Sequence, residues 1–283
     1  MPIRIDRHDS PLGRWVLARW APTDLDGIVD GIWYFEGSLT ELRERHFPHG
    51  RVEMVVHLGP VYRQVDGDRY KPFTPTCVSG LLLRPDVIEA PPGRTAVLGV
   101  RLLPAGAFAV LGRPLHELTG LTVDLEDMVA EAAAELVERC VRAVTPEGRV
   151  RAAAAWVESR LRNNRAADPA VAWMADEIER RAGGVSIGRL QGRTGWSKSR
   201  LAAVFREQIG VPPKTLARVL RFRRALEMVN REECALSEIA LAAGYYDQPH
   251  FNAEFRDLSG FSPTEYLARR RYPISVNLPE QAP

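Results

Sequence analysis

The chain has 283 residues, 45% hydrophobic and 26% charged, with a formal net charge of +2. That length allows two domains with their own cores, and the composition is that of an ordinary folded globular protein, which excludes a disordered chain. No apolar run approaches a membrane span and the N-terminal MPIRIDRHDSPLGRW lacks the apolar centre of a signal peptide, so the chain is expected to stay in the cytoplasm with no membrane partner.

Residues 1–125 read as mostly β. Gly31 to Phe35, Val52 to Leu58, Cys77 to Leu83 and Ala96 to Leu103 are short apolar runs separated by the turn signals His49-Gly50, Asp66-Gly67-Asp68 and Pro91-Pro92-Gly93. Strands of that length and spacing suggest a small barrel or sandwich. Trp15, Trp20, Trp33, Tyr34 and Phe35 concentrate aromatic rings here, and Trp33, Phe35 and His57 are the candidate lining of an effector pocket, the alternative being that such rings simply fill the core. His46, His49, Glu53 and His57 form the one group in this half with metal-ligand chemistry, since Glu53 and His57 share a strand face and His46 and His49 approach from a loop. A turn pair and a solvated strand face is the favoured reading, so neither a metal nor another cofactor is expected. Cys77, Cys140 and Cys234 are odd in number and scattered, as expected of reduced thiols rather than disulfides or a zinc site.

From residue 126 to 169 the pattern turns helical. Met128, Ala132, Leu136 and Val137 repeat near one face, a break is expected at Pro146-Glu147-Gly148, and a second helix follows through Trp156, Val157 and Leu161. The polar run from Asn163 to Pro169 reads as a linker.

Residues 170–272 then repeat one grammar twice. After a helix through Val171, Met174 and Ile178, a short helix capped by Ser186 ends at Gly195, and a longer one carries Leu201, Val204 and Phe205 inward. The second copy has Leu236, Ile239, Ala240 and Ala243 before Gly244, then Asp247 as the cap of a helix with Phe251, Phe255 and Leu258. Between them Pro213 to Asn230 predicts a single strut helix. A helix, a tight turn and a second helix is a DNA-reading arrangement, in which the exposed start of the second helix faces the major groove. In the second copy that face is Gln248, Pro249, His250, Asn252 and Ala253. Lys and Arg number 17 against 12 acids in residues 170–272, but 21 against 23 in residues 1–169, so the positive charge sits on the DNA-reading half.

Ile239-Ala240, Gly244-Tyr245, Phe251, Phe255-Arg256, Gly260-Phe261, Ser262-Pro263 and Tyr266 together resemble the second helix-turn-helix of the AraC/XylS family of bacterial transcription regulators. The segment PPKTLARVLRFRRAL is similar to that family's strut, and the order HFPHGRVEMVVHL, VSGLLLRP, LGVRLLPAGAFAVLGRPLHEL resembles an N-terminal domain of cupin-like type found on some members. By the resemblance, the base-facing positions of the first unit are Ser199, Arg200, Ala202 and Ala203. Arg200 alone there can make a bidentate contact, typically to guanine, and Gln248 could read adenine. Lys198, Arg206 and Arg256 are candidates for phosphate. Gln191-Gly192 stands where many members have Leu-Ala, which would loosen the first unit.

The expected architecture is therefore α+β: a β-rich sensor or dimerisation domain over 1–125, a helical connector and linker over 126–169, an all-α double helix-turn-helix domain over 170–272 and a tail over 273–283. The expected function is sequence-specific regulation of transcription on double-stranded DNA, as a homodimer, with a small-molecule effector at the N-terminal domain and RNA polymerase as partner if the protein activates. No phosphate loop, nucleophile elbow or zinc-helix motif is present, so no catalytic residues are expected. The alternatives are a metal-dependent cupin-type enzyme fused to a DNA-binding module, and an architectural DNA-binding protein.

Overall fold

The computed structural model describes residues 2–231, 234–269 and 278–279. The expected tail at 273–283 lies outside them except for Leu278–Pro279. The N-terminal part contains β1 (Arg4–Ser10), β2 (Gly13–Trp20), β3 (Val29–Leu39), β4 (Arg43–His46), β5 (Val52–His57), β6 (Arg63–Asp66), β7 (Arg69–Pro72), β8 (Thr76–Ser79), β9 (Asp86–Glu89), β10 (Thr95–Leu102), α1 (Pro104–Leu111) and β11 (Thr122–Asp124). One sheet runs β1-β2-β3-β10-β5-β8-β11 and the other β4-β9-β6-β7, extended at β4 by Leu278–Pro279. Of the two architectures that strand spacing allows, the sheets take the open one: they face each other across a cavity and do not close on themselves.

Strand alternation sets what each face does. In β5, Val52, Met54 and Val56 are buried in the main core, while Glu53, Val55 and His57, with Arg51 just before the strand, line the cavity toward the second sheet. The β1–β2 hairpin and α1 give no usable periodic signal. RIDRHDS is charged on both sides of a half-exposed strand, and α1 is buried on nearly every side, so neither shows one apolar stripe.

Three helices follow, α2 (Leu125–Val129), α3 (Glu131–Arg142) and α4 (Pro146–Asn163). The expected break at Pro146–Gly148 is instead the first turn of α4. Thr145 Oγ1 accepts the Gly148 amide at 3.0 Å, and Pro146 stands where a helix needs no N–H donor. α4 crosses β2, β3 and β10 and buries Trp156 completely, its indole N–H donating to the Ala132 carbonyl at 2.7 Å. The C-terminal part is all helix: α5 (Pro169–Arg180), α6 (Ile187–Thr194), α7 (Lys198–Ile209), α8 (Pro213–Arg231), α9 (Leu236–Ala242), α10 (Gln248–Ser259) and α11 (Pro263–Arg269). Among the described residues no helix is long and apolar enough to cross a membrane.

The apolar interior is not divided as two separate cores would be. One cluster runs from Ala18 in β2 to Leu220 in α8, with α1 packed on both α5 and α7, and the Thr119 hydroxyl donating to the Gly210 carbonyl at 2.8 Å. A second cluster joins the later part of α8 to α9, α10 and α11, and it contains Phe47 from the loop after β4.

That loop joins the halves. Phe47 lies 5.8 Å from the Tyr266 ring and 6.5 Å from that of Phe222. Gly50, at φ +74°, lets the backbone approach Leu220 so closely that a Cβ would stand 2.8 Å from its Cδ2. Buried Arg51 donates to both oxygens of Glu179 in α5, at 2.8 and 2.6 Å, and sits 3.1 Å from Asp30. Arg223 of α8 donates to the same Glu179 at 2.6 Å and to the His49 carbonyl at 3.3 Å.

Acid should loosen this joint. Burial, aided by Arg101, His46 and Arg51 against the pull of Glu53, pushes His49 down to about 3, and its Nδ1 accepts the Arg51 amide at 3.2 Å. A depressed histidine contributes stability that is full above the ordinary value of 6.5 and is lost as pH falls toward 3. Burial raises Glu179, but Arg51 and Arg223 more than offset this and hold it below the usual carboxylate range, so its contribution is lost at still lower pH. His46 has the opposite sign: burial lowers it, but Glu44, Glu53 and Asp86 leave it raised overall, and its contribution fades above the ordinary 6.5. Amide exchange in residues 47–51, corrected for intrinsic rates, is expected to quicken from pH 7 to pH 4 and to quicken less in His49→Asn. Equal pH profiles for the two proteins would remove His49 from the account.

Candidate nucleic-acid interface

The two helix-turn-helix units are built by the same local rules. α6 ends at Gly195, φ +69°, and α9 is followed by Gly244, φ +89°, conformations a side chain disfavours. Ser197 Oγ then accepts the Arg200 amide at 3.3 Å, and Asp247 Oδ1 accepts the His250 amide at 2.8 Å, capping α7 and α10. Each capped helix is 12 residues long and closes on a left-handed glycine, Gly210 or Gly260. The second unit ends in a reciprocal cap between Ser262 and Glu265 that starts α11.

Burial separates the faces. α7 turns Leu201, Phe205 and Ile209 inward and leaves Lys198, Ser199, Arg200, Ala202, Ala203 and Arg206 exposed. α10 buries Phe251, Glu254, Phe255 and Leu258 and exposes Pro249, His250, Ala253 and Arg256, with Gln248 and Asn252 half-buried. Asn252 is the weakest of the expected positions, because its Oδ1 is turned into the protein. The Arg200 guanidinium stacks over the Trp196 ring at 4.2 Å, which holds the fork in place beside the helix start. Arg256 meets Glu265 at 3.2 Å, an exposed pair that costs little to separate.

The arginines of α8 have another task. Arg218 and Arg221 donate to buried Glu254 of α10 at 2.9 to 3.0 Å, so α10 is fastened to the strut by ion pairs. Glu254 was not legible as a site residue, because the arginines that hold it lie more than thirty positions away and its local contact, His250 Nε2 at 3.7 Å, is long. At 1.5 Å per residue the 19 residues of α8 span roughly 28 Å, close to one turn of DNA.

The first unit carries an exposed glycine inside a helix. Gly192 lies inside α6, and a Cβ there would meet nothing within 4 Å. Gly192→Ala should therefore raise stability by about 0.5 to 1 kcal/mol, read as a higher urea midpoint. A lower midpoint would mean that the open space is filled in solution.

On the other side of the molecule, Trp33 and His57 line the cavity between the sheets, but Phe35 does not. Alternation puts Phe35 on the Trp33 face one repeat further along β3, where Trp15 lies 6.3 Å away. Trp33 lies flat across β10 because Gly99 opposite it has no side chain; a Cβ at Gly99 would stand 2.1 Å from the indole. The indole N–H thereby reaches Glu53 on β5 at 3.0 Å. His46, His49, Glu53 and His57 all line this cavity, yet among the described residues no group of three or more His, Cys, Asp or Glu is placed to hold a metal ion. Glu53 is occupied by Trp33 and Arg101, His49 by the Arg51 amide, and His46 by Glu44 at 3.4 Å.

Two equivalent capped helices at the ends of one strut, each exposing its first turns, define a double helix-turn-helix protein. Residues 190–269 match the family described as "Helix-turn-helix domain", and residues 20–124 match a "Domain of unknown function (DUF6597)". The C-terminal unit is thus a helix-turn-helix domain of the AraC type. A probable transcriptional regulator, LumQ of Photobacterium leiognathi, is 29% identical over 82 residues, so the alignment covers 29% of this chain and only about a third (33%) of that relative's length. Among solved structures, ToxT from Vibrio cholerae O395 aligns over 80% of this chain and 95% of its own, with a TM-score of 0.43 and 12% identity. The C-terminal domain of AraT from Geobacillus stearothermophilus aligns over 37% of this chain and 88% of its own, with a TM-score of 0.35 and 23% identity.

Proposed function

We propose that this protein is a transcriptional regulator that reads two segments of double-stranded DNA with α7 and α10. The observation that carries this is the pair of equivalent, capped and exposed helix starts held by one strut. Ser199, Arg200, Ala202 and Ala203 form the first reading face, and Gln248, Pro249, His250, Asn252 and Ala253 the second. Lys198, Arg206 and Arg256 meet phosphate. Few of these side chains hydrogen-bond to bases, so DNA shape supplies part of the specificity. The chain works in the cytoplasm as a homodimer, residues 1–125 forming the sensor and residues 126–169 the connector, where Val141 and Val144 are exposed. RNA polymerase is a further partner if the protein activates. No step of chemistry is assigned to it; the charged groups of the inter-sheet cavity neutralise one another instead of converging on a reacting centre.

Selection of DNA from a random pool by the full-length protein tests this. Two short enriched blocks about one helical turn apart are expected. Arg200→Ala and Gln248→Ala should each cost about 1 to 3 kcal/mol on the selected site and much less on random DNA. Uniform weak binding without enrichment would reject sequence-specific regulation and favour an architectural role.

A further inference from the structure

The two helix-turn-helix units share a backbone plan but not a charge plan. Residues 187–209 of the first unit carry five basic side chains, Arg189, Arg193, Lys198, Arg200 and Arg206, against the single acid Glu207. Residues 236–259 of the second carry one, Arg256, against Glu238, Asp247, Glu254 and Asp257. Aligning the turn glycines Gly195 and Gly244 sets Leu190 on Ile239, both buried. The same alignment puts Arg189 opposite Glu238 and Arg193 opposite Ala242, all four exposed. One face of the first helix is therefore cationic in α6 and acidic to apolar in α9.

What holds these charges differs as well. All five cations of the first unit are exposed, and among the described residues none of them is in an ion pair. Arg193 lies over the Trp173 ring at 4.6 Å and Arg200 over Trp196 at 4.2 Å, contacts that fix a guanidinium without neutralising it. In the second unit Arg256 meets Glu265, and Arg218 bonds Asp257. Glu238 and Asp247 turn their carboxylates onto the Ala235 and His250 amides at 3.1 and 2.8 Å.

Helix electrostatics argue against a structural reason for the first pattern. The start of an α-helix is its positive end, so a cation in the first turn destabilises it. Arg189 stands in the first turn of α6, and Lys198 and Arg200 in that of α7, with no acid in either turn. The second unit has the favourable signs, with Glu238 in the first turn of α9 and Asp247 capping α10. Cations kept where they weaken a helix, and left without a carboxylate, suit an anion that arrives from outside. The first helix of a helix-turn-helix crosses the DNA backbone, so that anion is phosphate. We propose that the first unit is a clamp, Arg189 and Arg193 of α6 joining Lys198 and Arg206 on the phosphates of any duplex, and that the second unit engages only where its base contacts match. On unmatched DNA an acidic second unit gains nothing from phosphate. The matching step rests on the regulator reading; the clamp does not.

Salt titration of full-chain binding, by fluorescence anisotropy on a random-sequence duplex and on the selected duplex, tests both parts. On both duplexes Arg189→Gln and Arg193→Gln should each lower the slope of log K against log salt by about 0.9, the value of one phosphate contact. Each should weaken binding about five- to tenfold at about 0.1 M salt. Arg256→Gln should do so on the selected duplex only. Arg189→Glu, which gives α6 the acid that α9 has, should weaken binding to the random duplex further while leaving the urea midpoint unchanged or raised, the opposite of what loss of a structural residue would do. Unchanged slopes in Arg189→Gln and Arg193→Gln overturn the clamp. A loss on random DNA from Arg256→Gln as large as that from Arg189→Gln overturns the division between the units. If selection yields no preferred site while the two arginine variants still flatten the salt dependence on the random duplex, the clamp stands and only sequence-specific regulation falls.

Discussion

Phe47→Ala is expected to cost about 3 to 5 kcal/mol, the range of a fully buried aromatic ring truncated to a methyl group. The loss should appear far along the sequence from the mutated residue. Phe47 leaves the sheet at the end of β4, yet its ring is wholly buried among Phe222, Tyr266 and their neighbours, in the cluster that supports α9, α10 and α11. Among the described residues no other buried residue of the N-terminal part belongs to that cluster and half-buried Leu83 packs only against its edge, so little can collapse into the vacancy. Denaturant unfolding gives the magnitude, and amide exchange shows the place: protection should fall in the later part of α8 and in α10 more than in β3, β5 and β10. A loss below about 1 kcal/mol, or one confined to the sheet, would show that the loop is not seated there in solution.

A comparable loss is expected from a single methyl group at Gly183. This residue follows α5 with φ +77°, its amide donating to the Ile178 carbonyl at 2.8 Å. A Cβ would stand 1.9 Å from the Ala217 carbonyl oxygen and 3.0 Å from the Arg221 amide, both backbone atoms of α8 that cannot swing aside. Left-handed strain of about 1 to 2 kcal/mol adds to about 1 to 3 kcal/mol for forcing the helices apart, so Gly183→Ala should cost about 2 to 5 kcal/mol. Gly184→Ala is the control. That residue has no positive φ, and its Cβ would lie 3.2 Å from the Arg181 carbonyl oxygen, so the effect should be distinctly smaller. Equal effects at the two positions would mean that the turn, not the contact with α8, sets the cost.

What could be read from the sequence and what could not divide along physical lines. Gly195, Gly244 and Asp247 act within a few residues of themselves, so both turns and the cap of α10 were legible, as was the strut opened by Pro213; Ser186 stands before α6 as expected but its side chain accepts no capping bond, and the cap of α7 at Ser197 was not read. The expected exposed faces of α7 and α10 follow from the same 3.6-residue period. Residues 46–51 read as a turn with metal-type side chains, because the partners that give them their role, Glu179 and Arg223, lie 128 and 174 positions from the loop residues they hold. Phe35 shares a face with Trp33, but alternation fixes only the face and not how far along it a cavity extends. Three of the strut arginines looked basic in composition and proved to be spent on Glu179, Glu254 and Asp257.

The continuous cluster from Ala18 to Leu220 has a consequence for how such a protein diverges. If the sheet-rich and helix-turn-helix halves met only at a flexible tether, either could be traded between proteins as a cassette. Here α5 and α7 use α1 as part of their interior, and Gly210 is bonded to Thr119. A transplanted N-terminal half would have to arrive with a matching α1 and a matching loop after β4, or leave α7 without its floor. Inheritance of the two halves as a pair is therefore imposed by packing.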